Sequence, residues 1–437
     1  MLKAGTSRIC ISPGADPKEV TTYRNPPPEG FYCDTFVKAL ALEDEKGQKL
    51  VIVSLDIISF REDMLERVRE GIKARTGLEA SQVLLCVSHT HSGPMREGPL
   101  EPFGISVEEY RQMVIDRTVD VVAGALSDTE PIDLYFGRGD LHMSINRRRR
   151  NPAGYPVWKG NPYGEVDPEV GVLKAVGKDG KVKAVVMNYA CHASAIGTGL
   201  IGNDYPGFAQ EIIENRYSGC TALFAQGCAG EIKPYNVDPD CRFMYKIPPA
   251  VAGGLGWELA KEVTRVVEQS ALEKVDGEIN IAARTIDLPM EGPPSADEVK
   301  NARGVHEDVV ETWRKFMSDK IKDGTIGEIP LTRPYEIAQV KIGDRFRLVA
   351  LQGEPCVRIG RRIKEQLTNN MGEMSTESWD IHSVMVFAYT NGWAGYIPSS
   401  DVLRAGGYEA ESHFFHNWAG PYTADIEDIV VNGVLEL

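Results

Sequence analysis

Short apolar runs alternate along this chain with stretches of helical periodicity, and that alternation narrows the range of folds more than any other feature. Leu50 to Leu55, Val83 to Val87, Val182 to Ala190, Thr221 to Ala225, Phe346 to Leu351 and Val384 to Ala388 have the length of strands. They read as strands covered on both faces, which is the mark of a mostly buried, partly parallel sheet. Met64 to Ala74, Val107 to Leu126, Phe208 to Arg216, Val251 to Gln269, Ala296 to Lys320 and Arg358 to Gln366 place apolar residues at helical spacing. The expected fold class is therefore α/β: mixed, largely buried β-sheets flanked by helices, with any active site at the strand C-terminal ends. A charged segment from about Ser295 to Lys322 reads as a surface helix or excursion and marks a candidate internal seam near residues 290–330. The Pro-rich Asn25 to Glu29 and the segment Pro152 to Pro168 read as long loops, of the kind that form lids or substrate walls.

Composition excludes several classes. With 437 residues, 42% apolar and 25% charged, the chain can bury one large core or two smaller ones and is not disordered. It contains no run of roughly 18 apolar residues, and Met1-Leu2-Lys3-Ala4-Gly5 opens without an apolar signal region. A cytoplasmic location without stable membrane association is expected. The net charge of -15 disfavours nucleic acid, so the expected partner is a small-molecule substrate, and oligomeric state stays open. Eight cysteines without C-x-x-C pairing read as buried free thiols. Against the acidic background, Arg147 to Arg150 form one basic run.

Polar residues gather just past the strands. The Val83 run ends in Ser88-His89-Thr90-His91-Ser92-Gly93-Pro94, the Val182 run in Cys191-His192, and the Phe346 run in Gln352-Gly353-Glu354-Pro355. On an extended backbone His89 and His91 would face the same side. A lone H-x-H says little, because buried histidines often satisfy backbone groups. Joined on one rim with His192 and a carboxylate, the pair points to a metal site. Imidazole and carboxylate donors without thiolate suit zinc, with one position left for water.

At these residues the chain resembles the neutral, non-lysosomal ceramidase family, whose catalytic domain carries T-H-T-H-S-G-P where this chain has Ser88 to Pro94. Ile145-Asn146-Arg147 resembles the family's I-N-R loop, and Asn203 to Gly207 its polar stretch after the strand-end histidine. Gln226 to Pro234, Gly353-Glu354-Pro355, Asn391 to Tyr396 and Gly407-Tyr408-Glu409 are similar to further family segments in the same order. The resemblance implies one zinc ion held by His89, His192, Glu354 and Tyr396, the last preferred to Tyr389 for its spacing to Tyr408. It also implies His91 as acid/base partner. Two departures stand out. Lys233 replaces the family's serine before Pro234, and the chain stops at Leu437, without the family's C-terminal immunoglobulin-like domain.

The implied chemistry is hydrolysis of an amide, an N-acyl bond. Zinc lowers the pKa of water and polarises a carbonyl; His91 passes a proton to the leaving group, and Tyr408 donates to the oxyanion. Asn146, Arg147 and Lys233 are the substrate-binding candidates, and the two cations favour a carboxylate or phosphate on the substrate. Arg148 to Arg150 read equally well as solvated loop charges. A zinc esterase or lactonase would use the same site, and a non-catalytic metal-binding protein would close it with four protein ligands. A triad hydrolase is disfavoured, since no G-x-S-x-G follows a strand.

Overall fold

Runs without polar alternation became strands with both faces covered: all five residues of Val83–Val87, all six of Thr221–Gln226 and all five of Ser383–Phe387 are buried. The computed structural model describes residues 1–13, 30–94, 107–196, 199–244, 247–371 and 383–437, so Asn25 to Glu29 lie outside the described residues. Among the described residues, one sheet runs in the order Thr221–Gln226, Val182–Tyr189, Glu169–Gly177, Glu130–Asp140, Lys3–Cys10, Phe36–Glu43, Lys49–Leu55, Val83–Val87, with Glu273–Val275 pairing the fourth of these. A second sheet runs Ile279–Pro289, Thr332–Ile342, Phe346–Leu351, Ser383–Phe387. Strands Lys49 and Val83, Val182 and Thr221, and Phe346 and Ser383 pair in parallel; most other neighbours are antiparallel. The fold is mixed α/β.

Alternate residues of these strands serve two cores, as a period of two requires. Leu50, Ile52, Leu84, Leu173, Val186, Leu223, Phe346 and Phe387 meet in one cluster between the sheets. Val51, Val53, Leu85, Val185, Val349 and Val386 belong to another that also holds the apolar faces of Glu62–Thr76, Asp204–Arg216, Pro249–Gln269 and Val357–Met371. Among the described residues no helix is long and apolar enough to cross a membrane. All eight cysteines are free thiols.

Two expectations are corrected. Ala296 to Lys320 is not one helix: a Ser295/Glu298 capping box starts Ala296–Asn301, and a second helix runs Glu307–Lys322. The break follows from tertiary contact, because the Val305 amide donates to Glu411 Oε2 at 2.8 Å instead of to a helical carbonyl. This segment leaves and re-enters one sheet, since Ile279–Pro289 and Thr332–Ile342 are paired along their whole length. Pro152 to Pro168 is not a continuous loop either. Pro156–Asn161 is a strand that pairs antiparallel with Ser144–Arg150, and Ile232–Pro234 completes that small sheet.

Candidate functional site

Backbone hydrogen bonds draw the strand ends together. Beyond Phe387 the chain is clamped between two strands of the larger sheet: Ala388 N donates to Gln226 O at 2.8 Å, Val87 N to Tyr389 O at 3.1 Å, and Asn391 N to Leu85 O at 3.0 Å. Tyr389 N donates to Gly353 O, and His91 N to Ala193 O. His89, His91, His192 and Glu354 therefore share one rim. The route differs from the expected one, because His89 is not extended. Its φ of 57° is left-handed, a conformation that costs a non-glycine residue about 1–2 kcal/mol. Burial of the ring and a bond from Nδ1 to Ile58 O at 2.6 Å hold it there.

Both outer histidines are fixed in one tautomer. His192 Nδ1 lies 2.6 Å from Ala229 O and 3.0 Å from Ile232 O. A carbonyl only accepts, so the Nδ1 of each ring carries hydrogen and the Nε2 of the neutral ring carries a lone pair. The two Nε2 atoms converge on one atom, Glu354 Oε2, at 3.4 Å from His89 and 3.0 Å from His192. Burial pulls His192 down to about 4 even though Glu354 opposes it. Burial also holds His91 well below the usual imidazole range, helped by the charges of its neighbours. Glu354 is pushed up by burial, but His89 and His192 outweigh that and hold it well below the usual carboxylate range. Two Nε2 atoms and a carboxylate oxygen this close repel one another unless a proton or a metal cation lies between them. One donor nitrogen from each of His89, His91 and His192 lies within 4.8 Å of the others, which makes the three a group able to hold a metal ion. Tetrahedral zinc with ligands at about 2.05 Å separates donor atoms by about 3.3 Å, so the spacing of Glu354 from the two imidazoles fits.

Residues 25–246, which include His89, His91, Asn146, Arg147, His192 and Lys233, match the family of neutral/alkaline non-lysosomal ceramidases, N-terminal part. The chain belongs to that family. It is 24% identical over 446 residues to the neutral ceramidase of Pseudomonas aeruginosa, covering 89% of this chain and 65% of that protein. It is 25% identical over 238 residues to neutral ceramidase B of Dictyostelium discoideum, covering 49% of this chain and 32% of that protein. The chain thus spans less than two thirds of the length of either relative. Its fold matches the crystal structure of the Pseudomonas aeruginosa neutral ceramidase with a TM-score of 0.71 at 19% identity, over 99% of this chain and 73% of the other. A ceramidase complexed with C2 gives a TM-score of 0.72 at 19% identity.

In this member of the ceramidase family the remaining site candidates fall into two groups. Tyr396 is the register partner of Glu354 in a short parallel pair, Glu354–Pro355 with Tyr396–Ile397. Its ring lies 5.3 Å from that of Tyr408. Tyr389, set aside in the sequence reading, donates its hydroxyl to Glu354 Oε2 at 3.3 Å. Arg147 is buried and its guanidinium lies 4.3 Å from the Trp158 ring and 5.4 Å from both Tyr396 and Tyr408. Lys233 is buried as well, donating to Ser194 Oγ at 2.9 Å.

Asn146 serves the hairpin instead: Nδ2 donates to Glu165 O and Oδ1 accepts the Arg148 amide. Arg148 is not a solvated charge, because it and Arg147 both reach the buried Glu409. Consecutive strand residues normally point to opposite faces. The register shift between Asn146 and Arg148 lets these two reach the same carboxylate. Arg149 and Arg150 are exposed as expected. Glu409 and Trp158 had no role in the sequence reading, since Glu409 stands 261 residues from Arg148. Tyr389, at a strand end, was within reach of the rule that found His192.

Proposed function

We propose that this chain is a zinc-dependent hydrolase that cleaves an N-acyl amide bond. The observation that carries the reading is the convergence of two imidazole Nε2 atoms, each ring held through its Nδ1 by backbone carbonyls, on one oxygen of a buried carboxylate. Neutral ceramidases, to which the chain is related, are named for amide hydrolysis of ceramide. His89, His192, Glu354 and, beside it, Tyr396 would hold the ion together with a water molecule, and no thiolate is among them. When bound, zinc supplies a nucleophilic water at neutral pH and polarises the scissile carbonyl.

The chain's own residues do the rest. Held neutral by burial, His91 can take a proton on its ring and deliver it to the leaving nitrogen. Tyr408 would donate to the carbonyl oxygen as charge develops there, with Arg147 against its ring. Glu409, bonded to Arg147 and Arg148, fixes those cations and through them the two tyrosines.

The test pairs elemental analysis with activity. The purified protein is expected to carry one zinc per chain and to hydrolyse N-acyl substrates. His192→Ala or His89→Ala should remove both the metal and turnover while leaving the far-UV spectrum unchanged. Full turnover by metal-free protein would sink the reading.

A further inference from the structure

The backbone of Glu354 is held from two sides: its amide donates to Gly395 O at 2.9 Å, and the carbonyl before it, Gly353 O, accepts the Tyr389 amide at 3.0 Å. Its carboxylate is less constrained, because the last torsion of a glutamate has broad wells. Which oxygen faces the imidazoles is therefore decided by what else the group touches. Oε2 lies 3.0 Å from His192 Nε2, 3.4 Å from His89 Nε2 and 3.3 Å from the Tyr389 hydroxyl. Among the described residues, Tyr389 is the one side chain besides the histidines that hydrogen-bonds to this carboxylate.

Tyr389 reaches that oxygen from a strained backbone. Its φ of 52° is left-handed, which is unusual for a bulky side chain. Such strain persists only where the surroundings over-determine it, and it gathers at functional sites. Here Val87 N donates to Tyr389 O at 3.1 Å and Tyr389 N to Gly353 O. The buried ring stands 4.6 Å from that of His89 and 6.0 Å from that of His192. One residue is thus bonded to the strand that leads into His89, to the turn before Glu354 and to the Glu354 carboxylate itself. A core tyrosine needs an acceptor for its hydroxyl, and any carbonyl would serve. The acceptor here is the oxygen on which both Nε2 atoms converge.

We propose that Tyr389 is a positioning residue of the metal centre: its hydroxyl engages one lone pair of Glu354 Oε2, so that the carboxylate meets the ion through that oxygen alone and a position stays open for water. The inference rests on the metal-site reading and adds a residue to it. A carboxylate oxygen accepts at two lone pairs. With one taken by Tyr389, the other is directed between His89 and His192. A carboxylate released from this bond is free to turn and bind through both oxygens, filling the place that a hydrolytic water needs. Hydrogen bonds to metal-binding side chains set their orientation and the affinity of the site.

Tyr389→Phe keeps the ring and removes the hydroxyl. Zinc binding to the full chain, measured by competition with a fluorescent chelator, should weaken about tenfold or more. In the cobalt-substituted protein the visible absorption of the variant should fall below that of the parent, because a carboxylate bound through both oxygens raises the coordination number. A tyrosine that only fills the core would instead lower the urea midpoint of the zinc-free chain and leave both metal readouts where they were. Tyr389→Leu repeats the measurements if the first variant does not fold. An unchanged zinc affinity or an unchanged cobalt spectrum in a folded variant overturns the inference alone. A parent chain that binds neither metal brings down the metal-site reading, and the role of Tyr389 with it.

Discussion

Asp56 ends the strand Lys49–Leu55 on the same side of the sheet as the histidines, yet its carboxylate serves the backbone, accepting the Phe36 amide at 3.0 Å. Burial pushes it up to about 6, against the opposing charge of Lys38. A carboxyl raised in the folded state favours its protonated form there. Its contribution is therefore fully present below the ordinary aspartate value and is lost as pH rises through about 6. Asp56→Asn keeps an acceptor for Phe36 and removes the charge. Urea denaturation should find it equal to the parent near pH 4 and more stable at pH 8 by about 3 kcal/mol; a difference that does not grow with pH would show that Asp56 is ionised at no cost. The same strand-end rule that marks His192 and Glu354 also marks Asp56, so it finds rim positions without telling ligand from scaffold.

The two-residue pair of Glu354–Pro355 with Tyr396–Ile397 sets the carboxylate beside the phenol, and a glycine makes it possible. Gly353 has a φ of 61°, and a Cβ there would come within 2.5 Å of Gly395 O. Gly353→Ala should cost on the order of 3 kcal/mol from the left-handed backbone and the clash together. Since Gly353 O also accepts the Tyr389 amide, the shift should move Glu354 relative to the histidines. Zinc affinity should then fall more than the melting temperature alone would explain, as read by competition with a chromogenic chelator. Unchanged zinc affinity in a folded variant would separate this turn from the site. The hairpin strand Pro156–Asn161 was hidden in the sequence by its Gly, Pro and Asn content, and it needs Ser144–Arg150 as a partner to form.

The excursion between Ile279–Pro289 and Thr332–Ile342 carries its own small core of Val299, Val310, Trp313, Met317 and Phe414. Trp313 Nε1 donates to Trp418 O at 2.8 Å, and His306 packs on the ring of Tyr408, so this outlying core braces one wall of the site. A satellite cluster of that size opens below the free energy of global unfolding. Trp313→Ala, costing about 3–5 kcal/mol locally, should speed amide exchange in residues 296–322 and 408–418. Exchange in the two large sheets should stay as it was; uniform acceleration would mean that the excursion and the sheets unfold as one unit. The apolar runs were enough to place six strands, because burial on both faces leaves a signal in consecutive residues; helical spacing marked the helices up to Val357–Met371, apart from the break after Asn301, but not Ser400–Ala405, Ser412–His416 or Ile426–Leu435. Order along the chain likewise marked His89, His91, His192 and Glu354, through the family resemblance and the strand-end rule. Two things lay beyond any linear reading: the left-handed backbone that turns His89 inward, and the bulge that sends Arg147 and Arg148 to the same carboxylate. Each depends on which backbone amides and carbonyls remain to be satisfied once sheets from distant parts of the chain have met, and that is decided only in three dimensions.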